Sequence, residues 1–268
     1  MVQFKDDNVL PNIVELRNVN QSYNNGKNEV IKDFDLLIED KPFQGQFVAL
    51  LGMSGCGKST ILRYIAGLQK PTSGTVLIKD KPVGGDIRVN MVFQQYSSLP
   101  WMSVLDNVAL GLTFAGVSKQ ERETKAMEII EWVGLKGHEK KYAQYPLLSG
   151  GQLQRVAIAR SLVANPEILL MDEPFGALDI ETRQSMQDLL INIWSKFHTT
   201  IVFVTHDIGE AVYLADEIFI MKKAPSNIVE HVKVDLPLIR NIEVKKSVRF
   251  LELVRDVEDK MLNTLKNR

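Results

Sequence analysis

Residues 52–59 read Gly-Met-Ser-Gly-Cys-Gly-Lys-Ser, a G-x-x-x-x-G-K-S pattern. Glycines let such a loop wrap tightly, so that backbone N–H groups and the start of a following helix all face one anion. Gly52, Ser54, Gly55, Cys56, Gly57, Lys58, Ser59 and Thr60 are therefore candidates to surround a phosphate chain. Lys58 brings a mobile positive charge for β and γ phosphates, and the Ser59 hydroxyl can sit on Mg²⁺. A glycine turn with a chance lysine would need no special flanks. Here residues 47–51 form a short apolar run that reads as a buried strand, and residues 58–66 read as a helix. Strand, glycine-rich loop and helix in that order predict binding of a nucleoside triphosphate.

Other residues with chemistry to offer follow apolar runs. Ile168-Leu169-Leu170-Met171 leads into Asp172-Glu173-Pro174. An apolar strand of this kind belongs in the middle of a parallel sheet, with ligands at its carboxyl end. Asp172 is placed there to hold Mg²⁺, directly or through water, and Glu173 to polarise an attacking water. A second run, residues 200–204, ends in Thr205-His206-Asp207. An imidazole at that edge can contact a γ-phosphate and orient the water, although a lone histidine is also a common structural residue. Gln94-Gln95 follows Val92-Phe93; the amide either reaches a metal or the water, or is an ordinary loop glutamine. Tyr23 either stacks on an adenine ring or is a half-buried turn tyrosine. Ser149-Gly150-Gly151-Gln152 opens a helix and makes a second anion-binding end without a lysine of its own. It either serves the nucleotide of another subunit or is a serine N-cap with loop glycines.

An α/β framework must hold these residues. Residues 13–19 and 30–38 alternate as half-exposed strands, polar enough for an antiparallel sheet at the edge of the domain, with a turn at 21–26 between them. Strands are expected at 74–78 and 87–93, with a turn at 81–85. From residue 97 to 144 the texture becomes helical: Ser103-x-x-Asp106 and Ser118-x-x-Glu121 look like helix-start capping boxes, and Ala126, Ile129, Ile130 and Val133 share a face. A helix over 153–164 stops at Asn165-Pro166. Within this block Ser98-Leu99-Pro100-Trp101-Met102 either contacts another protein or packs under its own loop. Helices at 181–197 and 208–215 and a strand at 217–221 complete the core. A strand at 228–234 and a charged helix with Val248, Leu251, Val254, Met261 and Leu265 on one face follow, the helix expected to cap the core. The fold class is one α/β domain over 1–268: a mainly parallel sheet, an antiparallel edge, a helical insertion at about 97–164 and a C-terminal strand and helix at about 225–268.

Composition narrows the partners. Net charge is −1 over 268 residues, so no basic field argues for nucleic acid. Cys56 is the sole cysteine, which excludes a disulfide framework and suits a reducing cytoplasm. The N-terminus lacks the basic and apolar regions of a signal peptide, and no apolar run approaches ~18 residues, so membrane work requires a partner.

Taken together, the segments over about 13–222 resemble the ATP-binding cassette ATPases that power ABC transporters. The resemblance implies a P-loop NTPase core, ATP and Mg²⁺ as ligands, and a dimer. Leu148-Ser149-Gly150-Gly151-Gln152 matches the family signature that contacts ATP bound to the opposite subunit, and Asp179 matches the aspartate at the dimer interface. Gln94 matches the glutamine linking nucleotide and Mg²⁺ to the membrane subunit, Tyr23 the adenine-stacking aromatic, and His206 the switch histidine. Residues 39–44 make a slightly longer turn than is usual before the phosphate loop. Gln94-Gln95-Tyr96-Ser97-Ser98-Leu99-Pro100-Trp101 and residues 171–179 are similar to importers of nitrate, aliphatic sulfonates, taurine and bicarbonate. The implied partners are a second ATPase subunit, transmembrane permease subunits touching residues near Gln94 and Trp101, and indirectly an extracytoplasmic solute-binding protein. The implied location is peripheral, on the cytoplasmic face of the cell membrane.

Two other classes compete. Soluble cassette ATPases of DNA repair or translation carry long coiled-coil insertions or two fused cassettes, and this chain has neither. A small-molecule kinase or nucleotide switch would share the phosphate loop, but Ser149–Gln152 and His206 argue against it.

Overall fold

The computed structural model describes residues 12–23, 28–41, 45–84, 87–95, 97–176, 178–197, 199–238 and 240–266. The expected ragged start, Asn24, Asn25, Gly26, Pro42, Phe43, Gln44, Gly85, Tyr96, Ala177 and the side chain of Leu265 lie outside the described residues.

Two sheets form the body. β1 (Val14–Tyr23), β2 (Asn28–Ile38), β4 (Ser73–Ile78) and β5 (Lys81–Pro82) make an antiparallel sheet in the order β2-β1-β4-β5. Two expectations change here. β1 continues past Val19 to Tyr23, because Gln21, Ser22 and Tyr23 keep pairing with Ile31, Glu29 and Asn28. Backbone ladders need no apolar side chains at an exposed edge, so alternation alone ends the strand too early. Of the turn expected at 81–85, Val83 and Gly84 do turn, but Lys81 and Pro82 form an edge strand reached through an earlier turn at Lys79 and Asp80, with φ of 48° and 60°.

The second sheet has the order β10-β9-β3-β8-β7-β6. β3 (Phe47–Gly52), β6 (Val89–Val92), β7 (Ile168–Asp172), β8 (Thr200–Thr205) and β9 (Glu217–Met221) are parallel, and β10 (Ile228–Lys233) is antiparallel to β9. Every residue of β3, β7 and β8 is buried, as strands covered on both faces must be. Alternate residues feed two cores. Phe47, Ala49, Leu51, Leu169, Met171 and Phe203 face the helical side. Val48, Leu50, Ile168, Leu170, Val202 and Val204 face the antiparallel sheet and α1 (Lys58–Ile65).

α2 (Val104–Phe114), α3 (Lys119–Trp132) and one face of α4 (Gly150–Leu162) enclose a separate apolar cluster that includes Val108, Ile130, Val133 and Val156. Ser103 and Ser118 cap α2 and α3 by accepting from the N–H groups of Asp106 and Glu121. Ala157, Ile158 and Leu162 turn the other face of α4 onto the main sheet. α5 (Ile180–Phe197) and α6 (Ile208–Leu214) pack on that same face.

A 3₁₀ turn, Ile242–Lys246, precedes α7 (Val248–Lys266), which packs on α6 and the core. Its buried face is Phe250, Leu253 and Val257, flanked by Val254 and Met261. Val248 and Leu251 are exposed, which corrects the expected face. Spacing alone left several arcs open on so charged a helix, and the position of Phe250 decides which one turns inward.

Candidate nucleotide-hydrolysis site

The phosphate loop leaves the carboxyl end of β3 and enters α1 through Gly57, whose φ of 90° lies in the left-handed region that glycine tolerates. Gly57 has no side chain to cap α1, so the amides of Lys58 and Ser59 in its first turn are left for a ligand. The Cys56 amide closes the turn on the Met53 carbonyl at 3.2 Å, and the Thr60 amide bonds Gly57 at 3.0 Å. The Cys56 side chain is buried against Gly52, where an added Cβ would come within 2.8 Å of its Sγ. Burial also pushes the Cys56 thiol up, which keeps it protonated and unreactive. Ser54 and Gly55 are exposed on the outer rim of the loop. Lys58 folds back to donate to the carbonyls of Gly52 at 2.8 Å and Met53 at 3.1 Å, leaving its side chain 4% exposed.

Glu173 is where the strand ends converge. Its Oε2 accepts from Gln94 Nε2 at 3.3 Å and lies 3.4 Å from His206 Nδ1, while its Oε1 lies 3.9 Å from Lys58 Nζ. Residues following β6, β7 and β8, and the lysine at the start of α1, thus meet on one carboxylate. Glu173 adopts a φ of 42°, unusual for a side-chain-bearing residue, and its N–H bonds Val204 at 3.2 Å. Such left-handed residues cost about 1 kcal/mol or more and persist where neighbours fix them, often at functional sites.

Asp172 is buried beside it and accepts the Ser59 hydroxyl at 2.8 Å. Burial pushes its carboxyl up; the Ser59 hydrogen bond opposes this and the neighbouring charge of Glu173 adds to it. A hydroxyl and a carboxylate in contact at the edge of a phosphate loop form the hard-oxygen set that Mg²⁺ prefers. These two residues fit that ion.

Ser149 and the loop after it are more regular than expected. α4 begins at Gly150 rather than Leu153, so Gly150, Gly151 and Gln152 are its first turn. Helix propensity disfavours glycine, which hid the true start. Ser149 caps this turn: its hydroxyl accepts from the Gln152 N–H at 3.3 Å, and Gln152 Oε1 accepts from the Ser149 N–H at 2.9 Å. An added Cβ on Gly151 would lie 2.3 Å from Thr182 Cγ2, so glycine is needed for close approach of α4 to α5. Thr182 is in turn held by Asp179, whose carboxylate accepts its N–H at 2.9 Å and its hydroxyl at 2.7 Å. Those bonds hold the Asp179 carboxyl below its usual range. Ser149–Gln152 and Asp179 form one surface, set apart from the hydrogen bonds that gather on Glu173.

Tyr23 stands at the end of β1, 45% exposed, with its hydroxyl 3.4 Å from Gln69 Nε2. The 98–102 loop resolves one open choice, since Trp101 is 70% exposed and does not pack beneath it. The loop is pinned by Asn107, a fully buried residue that the sequence did not single out. Its amide donates to the carbonyls of Leu99, Met102 and Ser103 and its Oδ1 accepts from the Leu99 N–H at 2.7 Å. Arg160 from α4 adds two bonds of 2.6 Å to Ser97. An asparagine among the apolar residues of an amphipathic helix carries no local signal of this role.

A family model described as ABC transporter matches residues 39–176. The chain is 43% identical over 227 residues to a nitrate import ATP-binding protein of Synechocystis sp., covering 84% of this chain and 83% of that one. It is 45% identical over 229 residues to a taurine import ATP-binding protein of Rhizobium johnstonii, covering 81% of this chain and 84% of that one. Among solved structures, an ATP-binding cassette captured as a dimer in a post-hydrolysis state with ADP and Pi superposes with a TM-score of 0.70. That cassette is 34% identical, over 85% of this chain and 100% of its own. With the phosphate loop, Glu173 and the Ser149 turn arranged as described, the chain belongs to the ABC transporter family.

Proposed function

We propose that this chain is the ATP-hydrolysing subunit of an ABC importer for a small anion or zwitterion of the nitrate, sulfonate, taurine or bicarbonate group. The convergence of Lys58, Gln94 and His206 on Glu173 carries this reading. Lys58 leaves its loop carbonyls to hold the β and γ phosphates, with Gly52, Ser54, Gly55, Cys56, Gly57, Ser59 and Thr60 of the loop around them. Tyr23 stacks on the adenine. Mg²⁺, held by Ser59 and Asp172 and approached by Gln94, would neutralise developing phosphate charge. Glu173 orients and deprotonates the attacking water, with His206 fixing its carboxylate and reaching the γ-phosphate. Gln94 couples that carboxylate to the loop carrying Trp101.

The second half of the site comes from another subunit. Ser149, Gly150, Gly151 and Gln152 present a capped helix start that shares no hydrogen bond with the Glu173 cluster among the described residues, and Asp179 is joined to it through Thr182 and Gly151. Two copies pairing head to tail would close each ATP between one phosphate loop and the other Ser149 turn. A closed dimer that prefers ATP to ADP is the differential affinity that drives a two-state machine. The permease subunits dock near Gln94 and Trp101, the solute-binding protein acts only through them, and the ATPase sits on the cytoplasmic face of the membrane. Among the described residues no helix is long and apolar enough to cross a membrane.

Glu173→Gln tests the scheme. Turnover falls at least about 100-fold, as for loss of a general base, while ATP still binds and holds a dimer seen by light scattering. A variant that keeps hydrolysing, or stays monomeric in saturating Mg-ATP, would refute it. Uptake of labelled nitrate against labelled taurine, in vesicles holding the chain and its permease, decides the solute.

A further inference from the structure

Glu173 and His206 share a small cavity of about 60 Å³ with Thr205, Asp207, Arg183 and Glu210. Glu210, in the first turn of α6, is nearly buried and closes a ring around His206. Its Oε2 accepts the Thr205 hydroxyl at 2.7 Å, that hydroxyl accepts the Asp207 N–H at 3.0 Å, and Asp207 Oδ1 accepts the Glu210 N–H at 2.9 Å. The backbone on both sides of His206 is thereby fixed to one carboxylate.

Arg183 supplies the other end. Its Nε lies 3.7 Å from Glu210 Oε1, its Nη2 donates to the Leu178 carbonyl at 3.3 Å, and its backbone N–H bonds Asp179 at 2.8 Å. A continuous line of contacts runs from the turn of Leu178 and Asp179, through Arg183 and Glu210, to the loop of His206. Ile180, next in that turn, is 87% exposed, so the turn stands on open surface beside the Ser149 end of α4.

We infer that Arg183 and Glu210 are positioning residues for hydrolysis, a charged strut that sets His206 against Glu173 according to where the Asp179 turn lies. For packing alone, an apolar pair would serve as well as this ion pair, in which Glu210 is nearly buried and Arg183 is partly exposed. What the ion pair adds is direction: a shift of the Asp179 turn is passed to the carboxylate that holds the His206 loop. The inference rests on the proposed function, in which the Asp179 surface meets the second subunit.

Steady-state ATPase assays on a double-mutant cycle test it. Glu210→Gln keeps an acceptor for Thr205 and removes the charge facing Arg183; Arg183→Met removes the other end. Each single variant is expected to lower kcat about tenfold with KM for ATP within about twofold, and the double variant to fall no further than the weaker single, as residues acting as one unit do. A structural role alone would instead lower the urea-unfolding midpoint and the folded fraction of each variant while leaving kcat per folded site unchanged. Multiplied losses, or unchanged kcat in both singles, would overturn the strut. If Arg183→Met does not fold, Arg183→Gln replaces it under the same criteria, since it removes the charge facing Glu210 and keeps a polar side chain. Glu173→Gln separates the two claims: activity lost there but intact in the Arg183 and Glu210 variants overturns the strut alone. An unaltered chain that hydrolyses no ATP overturns the proposed function and the strut with it.

Discussion

The side-chain amide of Gln94 donates to Glu173 Oε2 across 3.3 Å, joining the segment after β6 to the end of β7. His206 reaches the same oxygen from the end of β8 at 3.4 Å. Two residues that restrain one atom are not independent. Glu173 must keep a single orientation to act on a water, and either neighbour can supply part of that restraint.

His206→Ala should therefore lower kcat about 100-fold and Gln94→Ala about tenfold, within the range for groups that support a general base. The double variant should lose much less than the product of the two, because the second removal frees a carboxylate already freed. ATPase rates at saturating Mg-ATP check this, and a fully multiplicative loss would count against the shared oxygen.

Gly151 leads to a steric prediction. Gly151→Ala places a methyl against Thr182 Cγ2, and Thr182 cannot swing aside without losing its bonds to Asp179. The variant should lose about 1–3 kcal/mol of stability, the usual cost of overpacking. Thr182→Ser removes the offending methyl and keeps the hydroxyl on Asp179, so the double variant should recover most of that loss in urea unfolding. No recovery would mean that some other contact requires the glycine.

Legibility in the sequence tracked how local each signal was. The phosphate loop, Asp172, Glu173 and His206 follow or begin apolar runs that a parallel sheet must bury, so their placement at one sheet edge follows from the order of elements. Sequence spacing places the start of α4 too late because Gly150 and Gly151 are poor helix formers, and tertiary approach to Thr182 overrides that preference. Tyr23 was assigned to a turn because polar residues at an edge pair through their backbones alone. Asn107, Arg183 and Glu210 act through partners that chain order does not reveal: Asn107 binds a preceding loop, and Glu210 meets an arginine from another helix. No periodicity marks such residues.

The Trp101 loop separates stability from coupling. Trp101→Ala removes an exposed side chain, so unfolding should be unchanged, within about 0.5 kcal/mol for a surface position. Transport by the assembled importer should fall while ATP binding stays. Asn107→Ala should do both kinds of damage, because the Leu99 N–H loses its acceptor and the carbonyls of Leu99, Met102 and Ser103 each lose one of two donors, at about 1–3 kcal/mol. Transport by Trp101→Ala at the unaltered rate would remove the loop from the permease contact.

Arg240 makes a prediction in pH. Its guanidinium is buried and donates to the carbonyls of Tyr213 at 2.9 Å, Ala215 at 3.0 Å and Pro237 at 3.0 Å, and to Asp216 Oδ1 at 3.1 Å. Burial pushes the Asp216 carboxyl up, opposed by the Phe47 N–H and by Arg240. The folded chain therefore holds this proton more tightly than the unfolded chain. Asp216 contributes most below its ordinary pKa of about 4, and that contribution is lost as pH rises through the raised folded value. Arg240→Met removes a charge that held the value down, so the folded value rises further. At pH 7 the variant leaves a largely buried anion with the Phe47 N–H and the Lys41 charge but without Arg240, and should lose about 3 kcal/mol, the low end for breaking a buried pair. At about pH 5 the carboxyl takes up a proton more readily and the deficit should shrink, leaving the cost of the unbonded carbonyls. Urea unfolding at both pH values checks the sign. Adding Asp216→Asn to Arg240→Met should erase the difference between them, because no charge then remains to be neutralised; a deficit equal at both pH values with Asp216 intact would show that the carbonyl bonds alone account for Arg240.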